Sequence, residues 1–557
     1  VRRRWLYPQA RHSWFGAVLP LLLACSDGDS SAGNINDDAI LDIPPFWQPV
    51  STTASTDLGA EVRPIPPEAR EAGGPVALVD RTEAAGLADV AGGGNQHGVG
   101  VLFTDLDGDD FADLLVVNGR SNITDAWTPS RYLRNRGDGT FAEATSSSGL
   151  GALLDGVDLY SVAAGDIDRD GDIDLYLGAQ PTDMLLANQG DGTFVDATSA
   201  MNAGGPPSDP ELVADGRSKV VSLGDLDGDG WLDIASASGT FTQPPRGYLL
   251  RNRGGDFTDV TAERNLTTDP FGNACAVLWS DHDNDGRQDL WIWNDRGGHV
   301  LLQNEAAGLR NVADERDDVV IFNPMGIDSA DINHDGFLDY YVSNVGNNPL
   351  LVKQPDGTFA DRTRTAGTGG EFGWGLGFED FNHDTWPDIF VAQEDDRPYL
   401  LFTHGGDPDD LRFSQTELAH APIVDNRAAH NVAVAFADYD RDGRTDVLTA
   451  TTDGSRVNLY RNMTDTGTRG WLHVSVAAAP GGGRGGVGAR VAVKTGDLIQ
   501  FDDIKGGDSR ASQSELSTRF GLGHWTGAEW VAVLWPDGRA RVLRNVPANM
   551  HVRVGAD

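Results

Sequence analysis

The feature that most constrains this chain is an acidic nine-residue pattern that occurs seven times. The pattern D-x-[DN]-x-D-[GDT]-x-x-D starts at Asp105, Asp166, Asp225, Asp281, Asp331, Asp380 and Asp438, and successive starts lie 61, 59, 56, 50, 49 and 58 residues apart. Short apolar runs precede and follow every copy. A fixed period of this length marks a repeat architecture, in which no unit can bury its apolar faces alone and neighbours complete one another's cores. One such loop could be a chance acidic turn; seven in register could not.

The spacing also carries chemistry. Side chains at positions 1, 3, 5 and 9 of the loop converge, and the position 7 carbonyl can add a further oxygen. Several carboxylates with no nitrogen or sulfur suit Ca²⁺, which takes oxygen ligands at about 2.3–2.6 Å. The first loop offers Asp105, Asp107, Asp109 and Asp113, and the second offers Asp166, Asp168, Asp170 and Asp174. The third has Asp225, Asp227, Asp229 and Asp233, the fourth Asp281, Asp283, Asp285 and Asp289. Asp331, Asn333, Asp335 and Asp339 form the fifth, Asp380, Asn382, Asp384 and Asp388 the sixth, and Asp438, Asp440, Asp442 and Asp446 the seventh. Up to about seven Ca²⁺ ions are therefore expected. An EF-hand begins in the same way but closes with Glu at position 12 between amphipathic helices; these loops close with Asp at position 9 between strand-like runs. Gly at position 6 serves the sharp turn, and Asp110 and Thr385, which replace it, mark loops expected to bind more weakly.

Each loop belongs to a longer unit. An apolar segment ending near Asn follows, as in Tyr132–Asn135 (YLRN), Tyr248–Asn252 (YLLRN) and Asn458–Asn462 (NLYRN), and then a Phe–acid–Thr strand such as GDGTFVDAT. The Asp-Gly turns before these last runs are hairpin signals. Four strands per unit fit a propeller blade. The seventh unit lacks its last strand after Asn462, while a matching strand stands before the first loop, within Val76–Leu87. The fold class is thus all-β, a seven-bladed β-propeller closed by its own N-terminal strand, which removes a sheet edge.

Composition narrows the partners. With 84 acidic residues against 43 basic, a formal charge of −41, the chain is a poor match for nucleic acid, whose phosphates demand Lys and Arg. Arg2, Arg3, Arg4 and Arg11 precede the apolar run Trp14–Ala24, too short to span a bilayer but suited to a signal peptide. The run ends in LLAC, which resembles the lipobox of bacterial lipoproteins; in that class Cys25 would carry lipid. Residues 1–24 read as a signal peptide and 25–75 as a flexible, lipid-anchored linker, placing the protein at the outer membrane or cell surface. The other cysteine is Cys275, so no disulfide within the chain remains.

The repeats resemble the FG-GAP/VCBS family, the calcium-loop blades of integrin α propellers. From Gly470 onward, GVGARVAVKTG, RFGLG and VAVLWPDGR resemble the ASPIC and UnbV domain, and the combination is that of the cartilage acidic protein family. The Ser-rich segment often found before the FGLG element of that domain is here SRASQSELS, Ser509–Ser517. Residues 76–465 are read as the propeller and 466–557 as the ASPIC/UnbV domain, a small β-sandwich or barrel. In such propellers the calcium loop joins the innermost strand to the second, so the start of each innermost strand opens on the other face, near the channel. His97, Tyr160, Lys219, Asn273, Trp374 and His430 stand there and form a candidate ligand pocket. The resemblance implies a binding or adhesion module for a protein or carbohydrate ligand, with calcium as scaffold. An enzyme acting in the channel (lyase, hydrolase or cyclase) and a purely structural envelope protein are the alternatives.

Overall fold

The computed structural model describes residues 51–91, 99–119, 127–205, 218–239, 246–264, 274–295, 298–316, 323–394, 399–407, 410–418, 431–452, 457–477 and 485–555. Residues 1–24, read as a signal peptide, and Cys25 lie outside them.

Seven four-stranded antiparallel sheets stand among the described residues. The third blade shows the plan: Ser218–Gly224, Asp233–Gly239, Arg246–Asn252 and Phe257–Asp259 pair in chain order, with the acidic loop joining the first two strands. The first strands of consecutive sheets lie side by side, and that of the seventh, Asn431–Ala437, lies against that of the first, Gly100–Thr104. The result is a closed ring of seven blades. Leu78–Asp80 pairs with Val457–Asn462 and supplies the fourth strand of the last blade, the closure that the repeat pattern predicts.

Burial explains the apolar runs. Inner strands such as Ala274–Ser280 and Gly373–Glu379 are buried along their whole length, since each sheet is covered by blades on both faces. Blades fit where a small residue meets a large one. A Cβ on Gly377 would stand 2.2 Å from the Phe436 ring of the next blade, so that position takes no side chain.

The C-terminal part forms two further sheets. Gly470–Val476 lies between Ser517–Gly523, antiparallel, and Met550–Val554, parallel. The larger sheet runs Arg539–Pro547, Gly527–Leu534, Arg490–Thr495, Leu498–Asp503, and Ser51–Asp57 adds to its edge in parallel. This corrects the linker reading for residues 51–75. The Ser/Thr-rich strand completes the edge's ladder, and backbone bonds from Leu58 to Arg544, Ala60 to Asn545 and Ile65 to His524 continue the attachment.

Between the two C-terminal strands ending at Asp503 and starting at Ser517, the chain enters the channel of the ring. Gly506 bridges to Leu223, Ser509 to Ile327 and Gln513 to Leu102, backbones of the third, fifth and first blades. Val162 of the second blade donates to the Ala511 carbonyl; Leu376 and Phe436 donate to the Ser509 and Ser514 hydroxyls. Arg510 stands 4.3 Å over the Trp374 ring and is only 2% exposed. The Ser-rich segment is therefore a plug that pairs with the inner edges of the blades.

Candidate metal sites

The acidic loops share one backbone architecture. In six of them the position 1 carboxylate accepts from the N–H groups of positions 5 and 6: Asp225 from Asp229 and Gly230 (3.2 and 2.8 Å), Asp331 from Asp335 and Gly336 (both 3.0 Å), Asp380 from Asp384 and Thr385 (3.0 and 2.8 Å); in the second loop the Asp170 N–H donates to Asp168 instead. The position 5 carboxylate caps the N–H of position 7, as Asp109 does for Phe111. Position 6 is left-handed in all seven loops, including Asp110 (φ 71°) and Thr385 (φ 85°). Position 4 is left-handed too, from Gly108 to Arg441, a requirement that the sequence pattern does not display because Arg, Asn and His share it with Gly.

Position 9 has a double duty. Its Oδ1 accepts from the N–H closing the third strand in all seven loops, and its Oδ2 from the N–H of position 2 in six; Asp113 binds Leu106 and Asn135 this way, Asp233 binds Leu226 and Asn252. Asp113, Asp174, Asp233, Asp289, Asp339, Asp388 and Asp446 are all buried. Burial pushes the Asp113 and Asp174 carboxyls up to about 8 and raises the other five well above the ordinary range.

Carboxylates converge as the spacing requires. Ligand atoms of Asp105, Asp107 and Asp113 lie within 4.8 Å of one another, as do those of Asp166, Asp168 and Asp174, and of Asp225, Asp227 and Asp229. In the fourth loop His282 joins Asp283 and Asp289. The position 3 oxygens Oδ1 of Asp107, Asp283 and Asp440 are buried with no hydrogen-bond donor. Orphaned anionic oxygens in a buried cluster of like charge fit a hard cation.

Some loops also carry an internal cation that the sequence pattern concealed. The Arg of each RN dipeptide pairs with position 3 of its own loop: Arg134 with Asp107 (3.6 Å), Arg251 with Asp227, and Arg461 with Asp440 (2.6 Å). In the fifth loop Asn333 donates to Asp335 (3.0 Å), and in the sixth Asn382 accepts from Arg469 (3.1 Å).

The Asn at this place in the third strand, whether or not Arg precedes it, links blades. Asn252 Nδ2 donates to Leu232 O in its own loop and to Ile167 O in the preceding one; Asn135, Asn188 and Asn304 repeat this, and Asn462 reaches Phe381 O of the preceding loop. In the fifth blade Lys353 Nζ takes over, donating to His282 O at 2.8 Å. Loop geometry and ring assembly are thus one network.

The channel-mouth candidates stand differently. His97, Asn273 and His430 lie outside the described residues, and of Lys219 only the backbone is described, paired with Ser238. Tyr160 and Trp374 are 5% and 4% exposed. Each lies at a register shift near the start of its strand, as do Cys275, Met325 and Val432. These bulges turn Cys275, Met325, Trp374 and Val432 into one apolar cluster, with Arg510 of the plug over Trp374. A separate cleft of about 600 Å³ lies beside the second blade, lined by Gln180, Asp196, Ser199, Asn202 and Asp259 among others.

A family model described as FG-GAP-like repeat matches residues 105–177, 225–292, 281–342, 331–391 and 380–449, together more than half of the chain. A second, ASPIC and UnbV, matches residues 480–557. Cartilage acidic protein 1 of Mus musculus is 26% identical over 316 residues, 52% of this chain and 48% of that protein, so the chain spans about half the length of this curated relative. Among solved structures, an Agrocybe aegerita lectin that recognises non-reducing terminal N-acetylglucosamine is 16% identical with a TM-score of 0.38, covering 65% of this chain and 94% of its own. The exotype rhamnogalacturonan lyase YesX is 12% identical with a TM-score of 0.39, covering 72% and 75%.

Proposed function

This chain belongs to the FG-GAP-like repeat family, with an ASPIC and UnbV domain at its C-terminal end, and on that premise we propose that it is an exported, calcium-stabilised propeller that binds a protein or glycan ligand. The observation that carries the calcium assignment is the recurrence of buried, converging carboxylates, three of which (Asp107, Asp283 and Asp440 at position 3) keep an Oδ1 without a donor. Calcium modules outside cells bind at about 10⁻⁴–10⁻³ M, which agrees with export and with a lipid anchor on Cys25. Metal at these loops serves the scaffold, because the same carboxylates hold the backbone that receives the next blade's Asn.

Ligand binding is assigned to the blade surfaces. Ser509, Arg510 and Gln513 take up the channel that a channel enzyme would need. The cleft at Asp196, Ser199, Asn202 and Asp259 offers hydroxyl and carboxylate acceptors of the kind that sugar hydroxyls pair with. The test is a glycan and protein array probed with the chain in millimolar Ca²⁺. Binding that falls at least about tenfold in Asn202→Ala or Asp259→Ala, with the melting temperature unchanged, supports the reading. Binding indifferent to both substitutions moves the site away from this cleft, and no binding at all contradicts a binding role.

A further inference from the structure

The seventh loop meets the C-terminal domain at a cluster of a different chemistry. Asp438 Oδ2 lies 3.5 Å from His473 Nδ1 and 3.3 Å from His551 Nε2. His473 and His551 are register partners in neighbouring parallel strands, so both side chains leave the same face of the three-stranded sheet. Their rings stand 4.8 Å apart and nearly perpendicular, at 82°, so they converge edgewise instead of stacking.

Neither nitrogen is satisfied as it stands. His473 is 3% exposed, and its Nδ1, like His551 Nε2, is buried without a hydrogen-bond partner. Two unpartnered imidazole nitrogens aimed at one carboxylate oxygen cost free energy unless something sits between them. The separations identify what fits. A tetrahedral ion with arms of about 2.0–2.1 Å has ligand-to-ligand edges of roughly 3.3–3.4 Å, which the two measured distances match.

We propose that His473, His551 and Asp438 form a zinc-type transition-metal site that ties the C-terminal sheet to the seventh blade. Two imidazoles and one carboxylate suit Zn²⁺, whereas Ca²⁺ takes oxygen alone. Asp438 serves both loop and site: Oδ1 accepts from Asp442, and Oδ2 accepts from Gly443 on one side while facing the histidines on the other. The Trp471 ring walls the site at 4.9 Å from His473 and 5.1 Å from His551. A Cβ on Gly443 would stand 2.0 Å from Trp471, so the glycine lets loop and sheet close on each other. The Gly443 backbone also contacts the His473 ring. Both histidines line a cavity of about 90 Å³ together with Glu515, Arg441 and Arg553, room for a water or a small anion as a further ligand.

The full chain, stripped of metal and returned to 5 mM Ca²⁺ to saturate the acidic loops, is titrated with Zn²⁺ and, separately, with Co²⁺. The site predicts one Zn²⁺ per chain in competition with excess calcium and the strong visible bands of four-coordinate cobalt. His551→Gln, at a position a quarter exposed, weakens Zn²⁺ at least about tenfold and removes the cobalt bands while leaving the calcium-dependent melt in place; His473→Ala does the same. Absence of zinc binding in the presence of calcium overturns the proposal, as does zinc affinity unchanged in His551→Gln.

Discussion

Thr385 concentrates what a single residue costs in this fold. It holds φ 85° at position 6, where five of the seven loops have glycine. Left-handed backbone costs an L-residue about 1–2 kcal/mol, more for a β-branched one, partly offset by the chain entropy that glycine loses on folding. Thr385→Gly is expected to stabilise the calcium-loaded chain by about 1 kcal/mol, read as a higher melting temperature. The buried carboxyls give a second residue-level expectation. Asp113 and Asp174 bind their protons far more tightly folded, at about 8, than in an unfolded chain near 3.9. Without metal, each therefore destabilises the fold increasingly as pH rises from about 4 to about 8. Melts in EDTA should fall between pH 5.5 and pH 8; with Ca²⁺ bound the carboxylates stay ionised and stability is lost as pH falls. A chelated chain whose melt rises over that interval would oppose the assignment. The acidic positions were legible in the sequence because calcium needs carboxylates at fixed spacing. The left-handed position 4 was not, since backbone geometry there is met by residues as different as Gly108 and His334.

At the level of elements, the third strand of each blade does more than fill the sheet. Asn252 joins its own loop to the preceding one through two backbone carbonyls, and its Oδ1 accepts from Gly255 at 2.9 Å. Asn252→Ala leaves these buried groups unpaired, each at about 1–3 kcal/mol. A loss of about 3 kcal/mol is expected in urea denaturation, with calcium present. The run of residues ending in Asn was visible as a repeat marker. Its partner was not, because Ile167 lies 85 residues earlier in the chain. The pairing of Lys353 with His282 shows the same dependence on the ring: the fifth blade, with Lys in place of Asn, contacts the loop that has His at position 2.

For the whole molecule, sequence spacing was enough to read a closed ring. Seven loops with one displaced strand leave few other arrangements, and Leu78–Asp80 takes the place predicted for it. The plug was hidden. SRASQSELS has no apolar period, and its partners are strand backbones that converge only once the ring exists. His473 and His551 were equally silent, two isolated histidines that become neighbours through a parallel pairing. The plug joins the two parts of the molecule: Gln513 accepts from Ala164 N–H at 2.7 Å and donates to its carbonyl at 3.0 Å. Gln513→Ala is expected to cost about 2–4 kcal/mol by leaving both groups unpaired; an unchanged denaturation midpoint would show that the plug contributes nothing to the ring. The central claim, that the seven loops are calcium sites that hold this ring, is tested most directly by melting the chain in 2 mM Ca²⁺ and in excess EDTA, with bound metal counted. At a Ca²⁺ concentration about twenty times the dissociation constant, each filled site adds about 1.8 kcal/mol. Close to seven calcium ions and a large fall in melting temperature on chelation are expected; one or two ions and an unmoved melt would contradict the claim.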